Sequence, residues 1–260
     1  MNFALPGNPS SGYPESPGVS FWRPPPETLL LPEGQVHVWR ISLEPHAEVL
    51  ASLWQMLSAD EQQRADRYHF ARDRDWFIAR RGRLRLLLGR YLGLDPASLQ
   101  FSYNSYGKPA LQPGLAGQLC FNISHSRGLA LFALASQGDI GVDLEHLRSD
   151  IDHLALAERF FSAAERAELN ALPLAIRQQA FFLCWTRKEA FIKAHGEGLS
   201  LPLDTFDVSL TPGQPARLLA TRAGLEAPDQ WSLSNLEPAP DYLAALAVRG
   251  QECELYCWAE

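Results

Sequence analysis

The fold class is decided by residues 119–145, which read LCFNISHSRGLALFALASQGDIGVDLE. Three apolar runs of strand length, Leu119–Ser124, Leu129–Ala135 and Ile140–Glu145, follow one another in this stretch. The polar links between them, at 126–128 and 136–139, have the composition of hairpin turns. The stretch therefore predicts an antiparallel meander of three strands.

Helical segments flank this meander on both sides, in the same order. Capping boxes at 58–61 and 162–165 each begin a helix, and long helices are predicted after Asp73 to about Leu92 and over 175–195. A first strand begins at Gln35, and further strands are predicted around 206–210, 231–236, 242–248 and 254–258. A strand, helices and a meander, occurring twice, predict an α+β fold with two similar lobes, each an antiparallel sheet packed with a long helix.

Composition places the chain among ordinary globular proteins. It has 260 residues, of which 46% are hydrophobic and 20% are charged. No apolar run reaches the roughly 18 residues that cross a bilayer, and the first residues lack the basic start and apolar stretch of a secretory signal. Four cysteines without a CxxC pair indicate neither a disulfide framework nor a zinc site. We expect a cytoplasmic enzyme without a membrane partner.

The predicted domain organisation has three parts. Residues 1–34 contain eight prolines and four glycines, so they are predicted to be an extended N-terminal tail, packed locally through Phe21 and Trp22. Residues 35–137 are predicted to form an N-terminal α+β lobe, and residues 138–260 a C-terminal one.

Charge is distributed unevenly along the chain. The net charge of −7 argues against a protein that binds nucleic acid through overall basicity. Between Arg64 and Arg90, however, nine arginines face only three aspartates, which gives a local charge of +6 and leaves −13 for the rest. This segment is either a solvated helix face or a patch that meets one anionic partner. The chain has only three lysines, Lys108, Lys188 and Lys193, and a compact ammonium suits a site beside a phosphate.

Two carboxylates are predicted to share one face of a strand. Asp143 and Glu145 alternate with apolar residues, so their side chains point the same way, roughly 7 Å apart. Oxygen ligands at this spacing suit Mg²⁺, which usually takes one or two carboxylates together with waters and phosphate oxygens. The alternative is a solvent-facing strand that happens to carry two acids.

The second long helix carries Trp185, Glu189 and Lys193 along one stripe. Glu189 and Lys193 alone would be an ordinary exposed ion pair, but the tryptophan in the same stripe indicates partial burial. Ser124 and the adjacent His125 point to opposite sides of a strand, which argues against a Ser–His catalytic pair. The sequence contains no Walker loop, GxSxG elbow or HExxH motif.

Four motifs in this order resemble those of the 4′-phosphopantetheinyl transferases, in the larger two-lobed surfactin-synthetase type. They are GKP at 107–109, FNISH at 121–125, GVDLE at 141–145, and WTRKEAFIK at 185–193 followed by GEGL at 196–199. The resemblance extends from about residue 57 to residue 208. It implies a pseudo-dimer of two α+β lobes with the active site between them, in a monomer with internal pseudo-twofold symmetry.

The resemblance also implies a reaction. Coenzyme A would donate its 4′-phosphopantetheine to a serine of an apo acyl or peptidyl carrier protein, with release of adenosine 3′,5′-bisphosphate. Asp143, Glu145 and Glu189 would hold Mg²⁺. Glu189 would also take the serine proton, Lys193 would bind the pyrophosphate, and Lys188 would lie nearby.

Five further positions are implied to bind the coenzyme A phosphates: Arg64, Arg81, Lys108, Ser124 and His125. The choice of Arg81 over Arg80 depends on a one-residue difference in alignment. Two other functions remain open from the sequence. One is a Mg²⁺-dependent hydrolase of nucleotide pyrophosphates, and the other is a non-catalytic protein that binds carrier proteins.

Overall fold

The computed structural model describes residues 22–115, 119–222, 224–250 and 253–260, and it confirms the α+β class. Residues 1–21 lie outside the described residues. They form the first part of the predicted tail and include Phe21. The described elements of the first half are β1 (Trp22–Arg23), β2 (Gln35–Ser42), α1 (Ala47–Gln55), α2 (Ala59–Ala65), α3 (Ala71–Leu92), β3 (Phe101–Tyr103), β4 (Pro109–Leu111), β5 (Cys120–Ser126) and β6 (Leu129–Ala135). Those of the second half are β7 (Ile140–His146), α4 (His153–Phe160), α5 (Ala163–Ala171), α6 (Leu174–His195), β8 (Phe206–Val208), β9 (Leu218–Thr221), β10 (Trp231–Leu236), β11 (Tyr242–Arg249) and β12 (Glu254–Ala259).

The larger sheet of the described residues has the strand order β1-β12-β2-β6-β5. β2, β6 and β5 pair in antiparallel fashion, whereas β12 runs parallel to β2 and to β1. The last strand of the chain therefore lies in the sheet of the first half, although its position in the sequence suggests the second lobe. The edge strand β1 joins part of the predicted tail to this sheet, since Trp22 and Arg23 pair with Cys257 and Trp258.

The element order of the second half repeats that of the first. β7, β11 and β10 form a second antiparallel sheet in the order β10-β11-β7, matching β5-β6-β2. A two-stranded ribbon follows the long helix in each half, β3–β4 after α3 and β8–β9 after α6. The pseudo-twofold symmetry between the two halves stays a prediction.

The apolar core of the described residues has three parts. Ile41 and Phe132 on one face of the larger sheet belong to a cluster with Leu84 and Leu88 of α3. In the second half, α6 packs with β11 and with the segment after the helix, in a cluster centred on Phe191. The other faces of the two sheets pack against each other through a third, apolar cluster. None of the described helices has the length and apolar character needed to cross a bilayer.

A glycine brings α6 unusually close to β7. A Cβ atom built on Gly141 would lie 2.1 Å from the carbonyl oxygen of Ala190 and 2.3 Å from the backbone nitrogen of Ala194. Real Cβ atoms do not approach other atoms so closely, so only glycine allows this backbone contact. The helix is thereby held against the strand at the level of Glu189 and Lys193.

Candidate active site

The neighbouring strands β5 and β7 are joined by side chains instead of a backbone ladder. Three polar side chains of β5, spaced two residues apart, accept hydrogen bonds from backbone N–H groups of β7. The pairs are Asn122 with Val142 at 2.9 Å, Ser124 with Leu144 at 3.2 Å, and Ser126 with His146 at 3.1 Å. Sequence reasoning missed this role, although polar residues repeating every second position on a mostly buried strand were a usable signal.

Asp143 lies at the centre of the site, between β5 and α6. Its Oδ1 atom accepts hydrogen bonds from Lys193 Nζ at 2.5 Å and Ser124 Oγ at 3.0 Å, and Lys193 Nζ also donates to Ser124 Oγ at 3.0 Å. Asp143 is 3% exposed, so the carboxylate is not part of a solvent-facing strand. A charge-assisted contact in such surroundings holds all three side chains in fixed positions.

Glu189 and Glu145 complete a group of three carboxylates around Lys193. Burial, then the negative charges of Asp143 and Glu145, raise the pKa of Glu189 to about 7, against the lowering effect of Lys193. Burial and Asp143 likewise raise the pKa of Glu145, against the hydrogen bond from Ser126. Strand alternation predicted the pair Asp143 and Glu145, and the family resemblance implied that Glu189 lies with them. Their mutual repulsion makes the site a place where positive charge would be stabilised.

The three carboxylates are oxygen ligands of the kind that Mg²⁺ prefers, but they are not arranged as a preformed metal centre. In the described segments of the chain, no group of three or more His, Cys, Asp or Glu side chains could hold a metal ion as they stand. Lys193 supplies the positive charge on Asp143 Oδ1. The other oxygen, Asp143 Oδ2, is buried without a hydrogen-bond partner, an orphan of the kind that a cation or an ordered water satisfies. Mg²⁺ needs only one or two carboxylates, so the donor set is compatible with it.

A second group of side chains, next to the carboxylates, is positively charged. Arg80 of α3 donates to Nε2 of His125, and both Arg80 and Arg64 lie over the ring of Phe77, at 5.8 and 5.4 Å from its centre. Partial burial, Arg80 and Lys193 lower the pKa of His125 to about 4, so this imidazole is neutral at pH 7. Arg64, Arg80 and His125 thus form a cationic cluster that lies beside Lys193.

Arg81 does not belong to this cluster, which corrects the choice of Arg81 over Arg80. Its guanidinium is 7% exposed, forms an ion pair with Glu61 and donates to the hydroxyl of Tyr103 at 2.8 Å. Arg85 also pairs with Glu61, at 2.7 Å. Consecutive helical residues differ in direction by about 100°, so a one-residue error in alignment selects a side chain with a different function.

Lys188, which the resemblance implies to lie near the pyrophosphate, has its ammonium in the protein core. Its side chain is completely buried and forms an ion pair with Glu165 at 2.8 Å. Lys108 lies at the C-terminal end of α6. Its ammonium donates to the carbonyl oxygens of Ile140 and Ala194, at 3.2 and 3.0 Å, and burial lowers its pKa. Two of the three ammonium donors of Lys108 are thereby used within the fold.

Much of the arginine-rich segment is neutralised within the fold. Arg83 forms an ion pair with Glu260 at 2.7 Å, and Arg90 approaches the same carboxylate at 3.5 Å. Arg85 is 1% exposed. The predicted anionic partner is thus left with fewer arginines than the sequence suggests.

An open cavity of about 790 Å³ is lined by residues of the turn between β5 and β6 and of the end of β7. Arg127 and His146, which follow Ser126 and Glu145 in the sequence, lie in its wall. Two arginines, Arg72 and Arg127, and two aromatic rings lie in its wall. The lining residues are Glu44, Arg72, Trp76, Arg127, Gly128, Leu129, His146, Ala239 and Tyr242.

Comparison with known proteins assigns both halves of the chain to the same kind of enzyme. Residues 139–247 match the 4′-phosphopantetheinyl transferase superfamily, and residues 41–137 match the N-terminal part of 4′-phosphopantetheinyl transferases. The chain is 43% identical to the 4′-phosphopantetheinyl transferase HetI of Nostoc sp. (strain PCC 7120), over 88% of this chain and 94% of that protein. It is 34% identical to the 4′-phosphopantetheinyl transferase Sfp of Bacillus subtilis (strain 168), over 74% of this chain and 82% of the relative.

Proposed function

Because the chain belongs to the 4′-phosphopantetheinyl transferase superfamily, we propose that it transfers 4′-phosphopantetheine from coenzyme A to a serine of an apo acyl or peptidyl carrier protein. The serine oxygen forms a bond to the phosphorus that carries pantetheine. The bond from that phosphorus to the bridging oxygen of the pyrophosphate breaks, and adenosine 3′,5′-bisphosphate leaves with the electron pair.

The observation that carries this proposal is the position of Lys193 between the three carboxylates and the cationic cluster. Phosphoryl transfer depends mainly on neutralising charge and positioning the reactants. Arg64, Arg80 and His125 would bind the nucleotide phosphates, and Lys193 would bind the pyrophosphate. Lys108 would contact the nucleotide through its third N–H donor, since two carbonyl oxygens take the other two.

Glu189 is the residue that we propose to accept the serine proton. A general base works best with a pKa near the working pH, and the pKa of Glu189 is about 7. Asp143, Glu145 and Glu189 would hold Mg²⁺, with the buried Oδ2 of Asp143 as one donor. When bound, Mg²⁺ would neutralise charge on the pyrophosphate oxygens.

The carrier protein is proposed to approach through the cavity lined by Arg127 and His146. Arg72 and Arg127 in its wall would attract an acidic surface, and Trp76, which Arg72 contacts at 4.8 Å from the ring centre, offers an apolar surface. Arg83 and Arg85 of the arginine-rich segment are not assigned to this surface, because they form ion pairs with Glu260 and Glu61.

The experiment that tests the proposed reaction is incubation of the full chain with coenzyme A, Mg²⁺ and a panel of apo carrier proteins. We expect a mass gain of one phosphopantetheine group on the carrier serine. Asp143→Asn keeps the shape of the side chain and should reduce the rate at least about 100-fold. Asp229→Asn, the same change at an exposed residue, should leave the rate within about twofold.

The alternative functions give different products in the same assay. A pyrophosphate hydrolase would form free phosphopantetheine with no carrier present, and a non-catalytic binder would retain carrier without any mass gain. Either result would refute the transferase proposal. For the cavity, Arg72→Ala and Arg127→Ala should raise KM for the carrier about 3- to 10-fold without changing KM for coenzyme A, whereas Arg83→Ala should change neither. Equal effects on both substrates would refute this docking surface.

A further inference from the structure

The buried ammonium of Lys188 has a complete set of partners. It is 0% exposed, pairs with Glu165 Oε1 at 2.8 Å, and donates to the carbonyl oxygens of Leu203 and Phe206 at 2.6 Å each. It also lies 4.2 Å from the centre of the Phe206 ring. All three N–H donors of an ammonium are thereby used, so Lys188 has none left for a substrate.

The carboxylate of Glu165 joins three elements at this point. Glu165 is the third residue of α5 and closes the capping box that Ser162 begins. Its Oε2 atom accepts a hydrogen bond from the backbone N–H of Ser162 at 2.9 Å. Oε1 accepts from the N–H of Val208 at 2.8 Å as well as from Lys188. The start of α5, the strand β8 and the middle of α6 are therefore fixed to one another by a single carboxylate.

The first half contains the same arrangement without the catalytic residues. Glu61 is the third residue of α2 and closes the capping box that Ser58 begins. It pairs with Arg85 of α3 at 2.7 Å. Arg85 donates to the carbonyl oxygens of Pro96 and Leu99, at 2.9 and 2.8 Å, beyond the end of its helix.

The two bases also occupy equivalent places on their helices. Arg85 precedes the helix-ending Gly93 by eight residues (85 to 93), and Lys188 precedes the helix-ending Gly196 by the same number (188 to 196). Both glycines have a left-handed backbone, with φ of 66° and 94°. At this spacing, Glu189 and Lys193 of α6 correspond to Leu86 and Arg90 of α3.

We propose that these buried pairs are positioning devices, in which Lys188–Glu165 aligns Glu189 and Lys193 for catalysis and Arg85–Glu61 aligns Arg80 for binding coenzyme A. The inference rests on the proposed transferase function. Each pair holds its helix against both rotation and sliding, since it bonds one preceding element and one following segment. A rotation of about 20° moves an atom about 5 Å from the helix axis by about 2 Å. A misplacement of 1 Å can reduce a rate about 100-fold.

The matched variants Lys188→Met and Arg85→Met test this division of roles. Each removes a buried base and keeps most of the apolar stem, so each should lower Tm. Kinetics are measured well below the lower Tm, on protein shown to be folded by circular dichroism. We expect Lys188→Met to lower kcat at least about 10-fold with KM for coenzyme A within about twofold. Arg85→Met should raise KM for coenzyme A about 5-fold or more, with kcat within about twofold.

A purely structural role predicts a different result. If both folded variants keep the wild-type kcat and KM, or lose both in proportion to the fall in Tm, the inference is wrong. If Lys188→Met does not fold, Phe206→Leu replaces it, since this change removes the ring beside the ammonium, and a selective fall of kcat of about threefold is then expected. An unchanged kcat in folded Phe206→Leu would overturn the inference.

Hydrogen exchange separates this inference from the proposed function. Lys188→Met should accelerate amide exchange in residues 189–195 while Arg85→Met leaves that segment unchanged, whether or not the wild-type protein modifies a carrier. Equal exchange of this segment in both variants would refute the positioning role. A wild-type protein that modifies no carrier would refute the proposed function alone.

Discussion

Replacing Glu189 with glutamine should stabilise the protein while it removes the proposed base. The pKa of Glu189 is raised from 4.5 to about 7 by burial and by the neighbouring carboxylates. The unfolded chain therefore releases this proton at a lower pH than the folded protein does. Stability falls as the pH rises from 4.5 through 7, and the full loss is present above pH 7. A neutral amide avoids this loss.

The size of the effect follows from the pKa shift. A shift of about 2.5 units corresponds to at most about 3.4 kcal/mol of unfolding free energy. Glu189 is half-buried, so solvent screening reduces this to about 1–2 kcal/mol. For a chain of this length, a change of that size raises Tm by about 2–8 °C.

Thermal melting in the presence of a metal chelator measures this effect, at about pH 8 and about pH 5. Glu189→Gln should melt above the wild type at pH 8, and the difference should shrink severalfold at pH 5. Glu27→Gln, at an exposed position, should leave Tm unchanged. Added Mg²⁺ should raise Tm of the wild type more than that of Glu189→Gln, because the variant lacks one of the three proposed ligands. A variant that melts at or below the wild type at pH 8, or by the same margin at both pH values, would refute the reasoning.

Three other predictions concern the helix contact, the cationic cluster and the N-terminal segment. Gly141→Ala should lower Tm and reduce the transfer rate at least about 100-fold, because the added Cβ would displace α6. The control Gly114→Ala, at a position with open space around it, should match the wild type in both measurements. Arg80→Ala should raise KM for coenzyme A about 10-fold with little change in Tm. Arg81→Ala should instead destabilise the fold by about 3–5 kcal/mol in denaturant unfolding, because the buried carboxylate of Glu61 then has one base fewer. Deletion of residues 1–21 should leave kcat within a few-fold in folded protein, and a hundredfold fall would show that the segment contributes to the active site.

Local sequence patterns predicted the elements that carry the chemistry. The capping boxes at 58–61 and 162–165 are both present. β6 has the predicted bounds, and β7 extends one residue beyond them. Strand alternation put Asp143 and Glu145 on one face, and helical spacing put Glu189 and Lys193 on one stripe. These patterns depend on neighbours within a few residues, which the sequence displays directly.

The errors came from contacts between distant parts of the chain. The resemblance implied phosphate binding for Arg81 and a place near the pyrophosphate for Lys188, but each pairs with a buried glutamate at least 20 residues earlier. Whether a charge is buried and paired depends on tertiary packing, and the periodicity of the sequence carries no information about that packing. The same limit hid the pairing of β12 with β2 and the use of Asn122 and Ser126 to join two strands.

The place of β12 has a consequence for synthesis of the protein. β2 finds its parallel neighbour at the other end of the chain, where Gln35 bonds Glu254 across 219 residues of sequence. While the polypeptide is still emerging from the ribosome, one edge of β2 therefore presents unsatisfied N–H and C=O groups. Long-range parallel pairing of this kind is slow to form, and its exposed edge favours pairing with another nascent chain. The larger sheet, most of whose strands come from the first half, is thus completed only after β12 has been made.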